Sequence, residues 1–96
     1  AEAAVPPPAD SAAAGAAPGP NQLYDLAHGQ FRAGSYGTAR SGFEELLRLY
    51  PTSDVAADAQ FFVAEAFAAE RNAPAADSAY AAVVTRYPSS PRAATA

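Results

Sequence analysis

Residues 50–53 read Tyr50-Pro51-Thr52-Ser53, and 37 positions later the phrase returns as Tyr87-Pro88-Ser89-Ser90. The flanking residues repeat in the same register. A shift of 37 lays Ala27 on Ala64, Ala39 on Ala76, Ser41 on Ser78, Ala56 on Ala93 and Ala59 on Ala96. Apolar character follows: Tyr24 falls on Phe61, Leu26 on Val63, Phe43 on Tyr80, Leu46 on Val83 and Leu47 on Val84. A fixed period between roughly 20 and 50 residues marks a chain of stacked supersecondary units. The sequence is therefore read as a repeat protein, suited to binding rather than to reaction.

Within each period the spacing is helical. Asn21 can cap a helix with Leu23, Leu26, Ala27 and Gln30 on one side and Tyr24 and Phe31 beside them. Gly34 stops it and Ser35 can cap the next, whose stripe runs Tyr36, Ala39, Phe43, Leu46, Leu47 and Tyr50. Ser53 is expected to cap a third helix, with Asp54 and Asp58 near its positive end and Phe62, Val63, Ala66 and Phe67 as its apolar side. After a turn near Asn72, Pro74 suits the start of a fourth helix carrying Ala76, Tyr80, Val83, Val84 and Tyr87. Ser90-Pro91 then opens a fifth. No strand-like alternation is sustained. The predicted fold is all-α: two helical hairpins (21–52 and 53–89) and the start of a third unit (90–96), stacked as a right-handed α-solenoid.

Composition limits what such a chain can do. Half of the 96 residues count as hydrophobic, but 28 are Ala and only 20 are Val, Leu, Phe or Tyr, all but Val5 within residues 21–96. A domain this small buries only about 60% of the surface its unfolded chain exposes, so its margin of stability is thin. Net charge is −4, with six Arg and no Lys, which argues against nucleic acid and offers no basic face to an anionic membrane. With no Cys, disulfides and thiolate metal sites are excluded. No apolar run approaches the roughly 18 residues of a membrane span.

Residues 1–20, AEAAVPPPADSAAAGAAPGP, differ from the rest. Pro6-Pro7-Pro8 favours extended polyproline, and a stretch with one large apolar residue cannot offset its ordering entropy. It is expected to be a linker from something upstream, or else an arm lying in a groove. It lacks the basic start and apolar stretch of a signal peptide.

These residues resemble tetratricopeptide repeats. The pattern has a small residue midway in the first helix, a small residue early in the second, an aromatic four later, and a closing proline. Here those are Ala27, Ala39, Phe43 and Pro51, then Ala64, Ala76, Tyr80 and Pro88. The period is 37 rather than the usual 34 or so. A narrower likeness covers residues 21–96. The opening Leu23-Tyr24-Asp25-Leu26-Ala27, the run Gly34-Ser35-Tyr36-Gly37-Thr38-Ala39 and the two Tyr-Pro phrases are similar to the C-terminal domain of the Tol-Pal system YbgF/CpoB family. Outer-membrane assembly lipoproteins of the BamD type carry similar repeats. The Tol-Pal resemblance implies a periplasmic adaptor that binds a TolA-like partner and links envelope constriction to peptidoglycan synthesis in cell division. The lipoprotein alternative implies a role in outer-membrane assembly.

In tetratricopeptide arrays the first helix of each unit lines the groove. Carried over, the candidate protein-binding residues are Asn21, Tyr24, His28, Phe31 and Arg32 from the first unit and Asp58, Phe61 and Glu65 from the second. Tyr24, His28 and Arg32 share one helix face. Aromatic anchors with a cation and an anion suit an extended peptide or a partner helix. The competing reading makes Tyr24, Phe31 and Phe61 core residues between units. His28, Arg32 and Glu65 are expected to tune partner choice. Catalysis is not expected, and neither a cofactor nor a metal is implied: one His, no Cys, no Lys and no phosphate loop leave few groups for it. Two units are fewer than the three or so that an independent array needs. The end carrying Tyr80, Val83 and Val84 is therefore expected to be covered, by a second copy or by the Ala/Pro arm.

Overall fold

The structure, a computed structural model, describes residues 18–96. The linker reading of residues 1–20, and the arm folded back onto the repeats, fall almost entirely outside the described residues. Five helices follow in order: α1 (Pro20–Arg32), α2 (Tyr36–Leu49), α3 (Ala56–Ala69), α4 (Ala73–Arg86) and α5 (Pro91–Thr95). No strand occurs among the described residues. The pairs α1–α2 and α3–α4 are packed hairpins, α2 joins them by packing on α3, and α5 opens a third unit. The fold is all-α and tetratricopeptide-like.

The small and aromatic positions of the repeat make the core. Ala27, Ala39, Phe43, Leu46, Ala59, Val63, Ala64 and Ala79 form one buried cluster. Alanine lets helices approach closely while retaining the best helix propensity. The larger side chains, Phe43, Leu46 and Val83, are fully enclosed. The α2 stripe buries as its spacing predicts. The α3 expectation of a single apolar side is too narrow. Ala56, Ala57, Ala59, Gln60, Phe61, Val63, Ala64 and Ala66 are all buried, because α3 touches each of the other four helices.

Three of the expected helix starts hold, and two shift. Ser35 occupies its N-cap position, and the fourth helix opens one residue before Pro74, at Ala73, behind a cap at Asn72 whose side chain accepts from Ala75 N–H. Ser90 Oγ accepts from Arg92 N–H, with Pro91 in the first turn. Asn21, however, lies inside α1. The cap is Gly19, Pro20 begins the helix, and Gln22 Oε1 accepts from Gly19 N–H at 3.0 Å. Pro20 needs no N–H partner, so it takes the position the asparagine was expected to open. Ser53 sits in a turn that runs to Val55, and its hydroxyl accepts from Val55 N–H instead of capping a helix.

Both hairpin turns use the same device. Ser35 N–H bonds Gln30 C=O and Gly34 N–H bonds Phe31 C=O; one period on, Asn72 N–H bonds Phe67 C=O and Arg71 N–H bonds Ala68 C=O. This paired pattern closes a helix through one left-handed residue. In the first turn that residue is Gly34, φ 86°; in the second it is Arg71, φ 63°. A side chain there costs roughly 1–2 kcal/mol, against roughly 0.5–1 kcal/mol of extra chain entropy lost by glycine. Arg71→Gly should therefore stabilise the fold by about 0.5–1 kcal/mol. Thermal unfolding should show the midpoint rise by a few degrees; a fall would contradict this account.

The doubled phrase acquires a physical role. Tyr50 hydroxyl donates to Pro18 C=O, and Tyr87 hydroxyl donates to Pro51 C=O, both at 2.8 Å. Each tyrosine ends the second helix of its hairpin and bonds the segment that leads into the first. The turn closes one end of the hairpin and the tyrosine latches the other.

Candidate protein-binding surface

The first helices of successive units touch, α1 with α3 and α3 with α5, whereas α2 and α4 do not. The array thus closes on the side of α1, α3 and α5 and opens on the side of α2 and α4. The inner side carries a continuous aromatic cluster. Tyr24 and His28 stack with ring centres 5.6 Å apart, as their i, i+4 spacing allows. Phe62 meets His28 at 5.1 Å, Phe31 at 5.3 Å and Phe61 at 5.8 Å, and stacks on buried Phe43 at 5.6 Å. Tyr24 also abuts Phe43 edge-on. Tyr24, His28, Phe31 and Phe62 each stay partly open to solvent.

Beside the cluster lies an ion pair. Arg92 Nε donates to Asp58 Oδ1 at 2.8 Å, and its guanidinium lies 4.6 Å from the Phe61 ring centre and 5.4 Å from that of Phe62. The pair joins α3 to α5 across the edge of the aromatic surface. Burial pushes the Tyr24 hydroxyl above its usual pKa; Asp58 adds to the rise and Arg92 opposes it. The three groups are therefore electrostatic neighbours drawn from α1, α3 and α5.

The candidate residues divide by environment. Tyr24 and His28 are brought together, with Asp58 and Phe61 next to them. Phe61 is 8% exposed and packs beneath Arg92 and against Tyr80, so it is mainly core. Phe31 is half-buried between Tyr36 and Phe62. Asn21 and Arg32 are exposed and make no side-chain hydrogen bond with the described residues. Glu65 accepts a 2.5 Å hydrogen bond from Tyr80 and so ties α3 to α4. The end expected to need cover is largely closed: Val83 is fully buried and Tyr80 half-buried, and only Val84, at 45%, stays exposed.

Sequence reading missed two members of this surface. By spacing Phe62 belongs only to the apolar side of α3, and the register hides it, because its first-unit equivalent is Asp25. Arg92 has Val55 as its equivalent, so periodicity gave no sign of it. Opposite charge to Asp58 at a helix start was the available signal.

The Tyr80–Glu65 bond has a pH signature. Burial and the neighbouring carboxylate push the Tyr80 hydroxyl up to about 12. The folded state then keeps a proton that the unfolded chain gives up near pH 10, so stability falls as pH rises between the two. The bond's contribution should be complete below about pH 10 and absent above about 12. The gap in melting temperature between the parent and Tyr80→Phe should shrink across that range. A constant gap would reject the assignment.

Among the described residues no group of three or more His, Asp or Glu side chains converges as metal ligands. No described helix is long and apolar enough to cross a membrane. Compared with curated proteins, the chain matches none. Its repeats do match a family model, that of the YfiO outer membrane lipoprotein, over residues 16–96. That span takes in every helix and both Tyr-Pro phrases, and on this ground the chain belongs to the YfiO outer membrane lipoprotein family.

Proposed function

We propose that the chain is a non-catalytic protein-interaction module of the cell envelope, acting in the periplasm. In this reading the inner face of α1, α3 and α5 holds an extended segment or helix of a partner protein. The carrying observation is the half-open aromatic surface of Tyr24, His28 and Phe62, edged by the Asp58–Arg92 pair. Aromatic side chains that keep exposed edges beside fixed charges are the usual anchors of protein recognition.

Two cellular settings make the same demand on that face. One is outer-membrane assembly, which the family match favours. The other is a Tol-Pal adaptor binding a TolA-like protein in cell division, which the Tyr-Pro-x-Ser phrases favour. Calorimetric titration with the soluble domains of envelope proteins from each system separates them. Combined replacement of exposed Asn21 and Arg32 and of His28 by alanine should weaken binding at least about tenfold, the size of one or two lost polar contacts. Melting temperature should fall by several degrees at most, the cost of the His28 ring contacts with Tyr24 and Phe62, and the variant should stay folded. Unchanged affinity would remove the inner face from the proposal.

A further inference from the structure

On the opposite side, α2 and α4 stand apart and α3 forms the floor of an open groove of about 510 Å³. Leu47, Val63 and Phe67 give it an apolar base. One residue in it is not explained by packing. Gln60 is 6% exposed and is the single buried polar side chain among the described residues. Its amide nitrogen donates to Ala79 C=O at 3.1 Å, while its Oε1 accepts from no described residue. A buried acceptor without a donor costs roughly 1–3 kcal/mol. The fold does not require that cost, because the equivalent position one period earlier is Leu23.

The walls add a direction. Glu44 and Arg48 stand on α2, and Arg86 on α4. Arg48 is held by Glu45 at 2.6 Å, as Arg40 is by Glu70 and Arg92 by Asp58. Arg86 has no ion pair among the described residues. The groove therefore offers an apolar base, the Gln60 amide oxygen as an acceptor, a cation with no ion partner among the described residues on one wall and an anion on the other.

We propose that this outer groove is a second docking site, and that it takes an extended peptide segment of a partner protein bearing a bulky apolar side chain next to an acidic residue. The apolar side chain rests on Leu47, Val63 and Phe67. A peptide N–H donates to Gln60 Oε1. The carboxylate pairs with Arg86, while Glu44 turns away the opposite orientation. The acidic preference follows from charge complementarity, in a chain whose net charge of −4 would otherwise repel such a segment.

The test uses a displayed library of random nonapeptides selected on the folded chain. Selected peptides should pair Leu or Phe with Asp or Glu, and should shift the NMR signals of the Gln60 side-chain amide and the Leu47 and Val63 methyls. Arg86→Glu should reverse the selection toward basic peptides. Gln60→Leu should weaken the selected peptides about five- to tenfold, as one hydrogen bond requires, and should raise the melting temperature by removing the orphaned acceptor. His28→Ala should leave these peptides unaffected, which separates this site from the inner face. The proposal is overturned if no peptide is selected, if acids are not enriched, if the shifts lie on Tyr24 and Phe62, or if Gln60→Leu melts lower.

Discussion

Phe43→Ala is expected to cost about 3–5 kcal/mol, the range for emptying an aromatic site in a packed core. Phe43 is fully enclosed and belongs to the central cluster. Its ring supports Tyr24 on one side and Phe62 on another. A domain of this size holds roughly 5–14 kcal/mol in total, so one substitution removes a large share. The melting midpoint, followed by far-ultraviolet circular dichroism, should fall by on the order of 20 °C. The loss should reach the inner surface too: without Phe43 behind it, Phe62 loses its stacking partner, and the His28 ring signals should shift in the NMR spectrum of the folded remainder. A fall of less than about 5 °C would mean that the core is not centred where the structure places it.

Gly42→Leu is expected to be nearly as damaging, for the opposite reason. A Cβ built on Gly42 would lie 3.0 Å from the Cβ of Ala27, and Ala27 is buried. A leucine must therefore drive α1 and α2 apart, at a cost of about 3 kcal/mol or more. Gly42→Ala should behave differently. It gains about 1 kcal/mol of helix propensity, which offsets much of the overlap. The second hairpin shows that the crossing can widen, since Ala64 and Ala79 occupy the equivalent positions there. The alanine variant should thus melt within a few degrees of the parent. Gly29→Ala is a useful control, because a Cβ there meets nothing within 4 Å and only the propensity gain of about 1 kcal/mol remains. If Gly42→Leu costs less than Phe43→Ala by a wide margin, the helix crossing is looser than the geometry states.

Periodicity made the fold legible because each helix has to bury the same side in each unit. Ala39, Phe43 and Leu46 could be named as core from spacing alone. The first-helix surface could be named as well, but only for residues that obey the register. What escaped came from breaks in it. Phe62 stands where the first unit has Asp25, and Arg92 stands where the second has Val55. Their partnership with Tyr24 and Asp58 comes from three helices meeting, which no single helical wheel contains. Helix starts escaped for a local reason. Asn21 and Ser53 both carry capping side chains, but Pro20 already opens α1 ahead of Asn21, while Ser53 lacks the following proline that lets Ser90-Pro91 start a helix at once. The even burial of α3 was equally hidden, because alanine at so many positions removes the contrast on which an amphipathic reading depends.

The tyrosine latch also defines where the chain can be cut and spliced. Donor and acceptor of the second latch, Tyr87 and Pro51, lie at the two ends of one period. Residues 51–87 therefore form a cassette whose junctions are already written: a further copy inserted after Tyr87 recreates the Tyr50-Pro51 joint. Each added cassette brings its own tyrosine, its own carbonyl and its own stretch of inner and outer groove. Array length becomes an independent variable, adjustable in steps of one period with no new linker to invent.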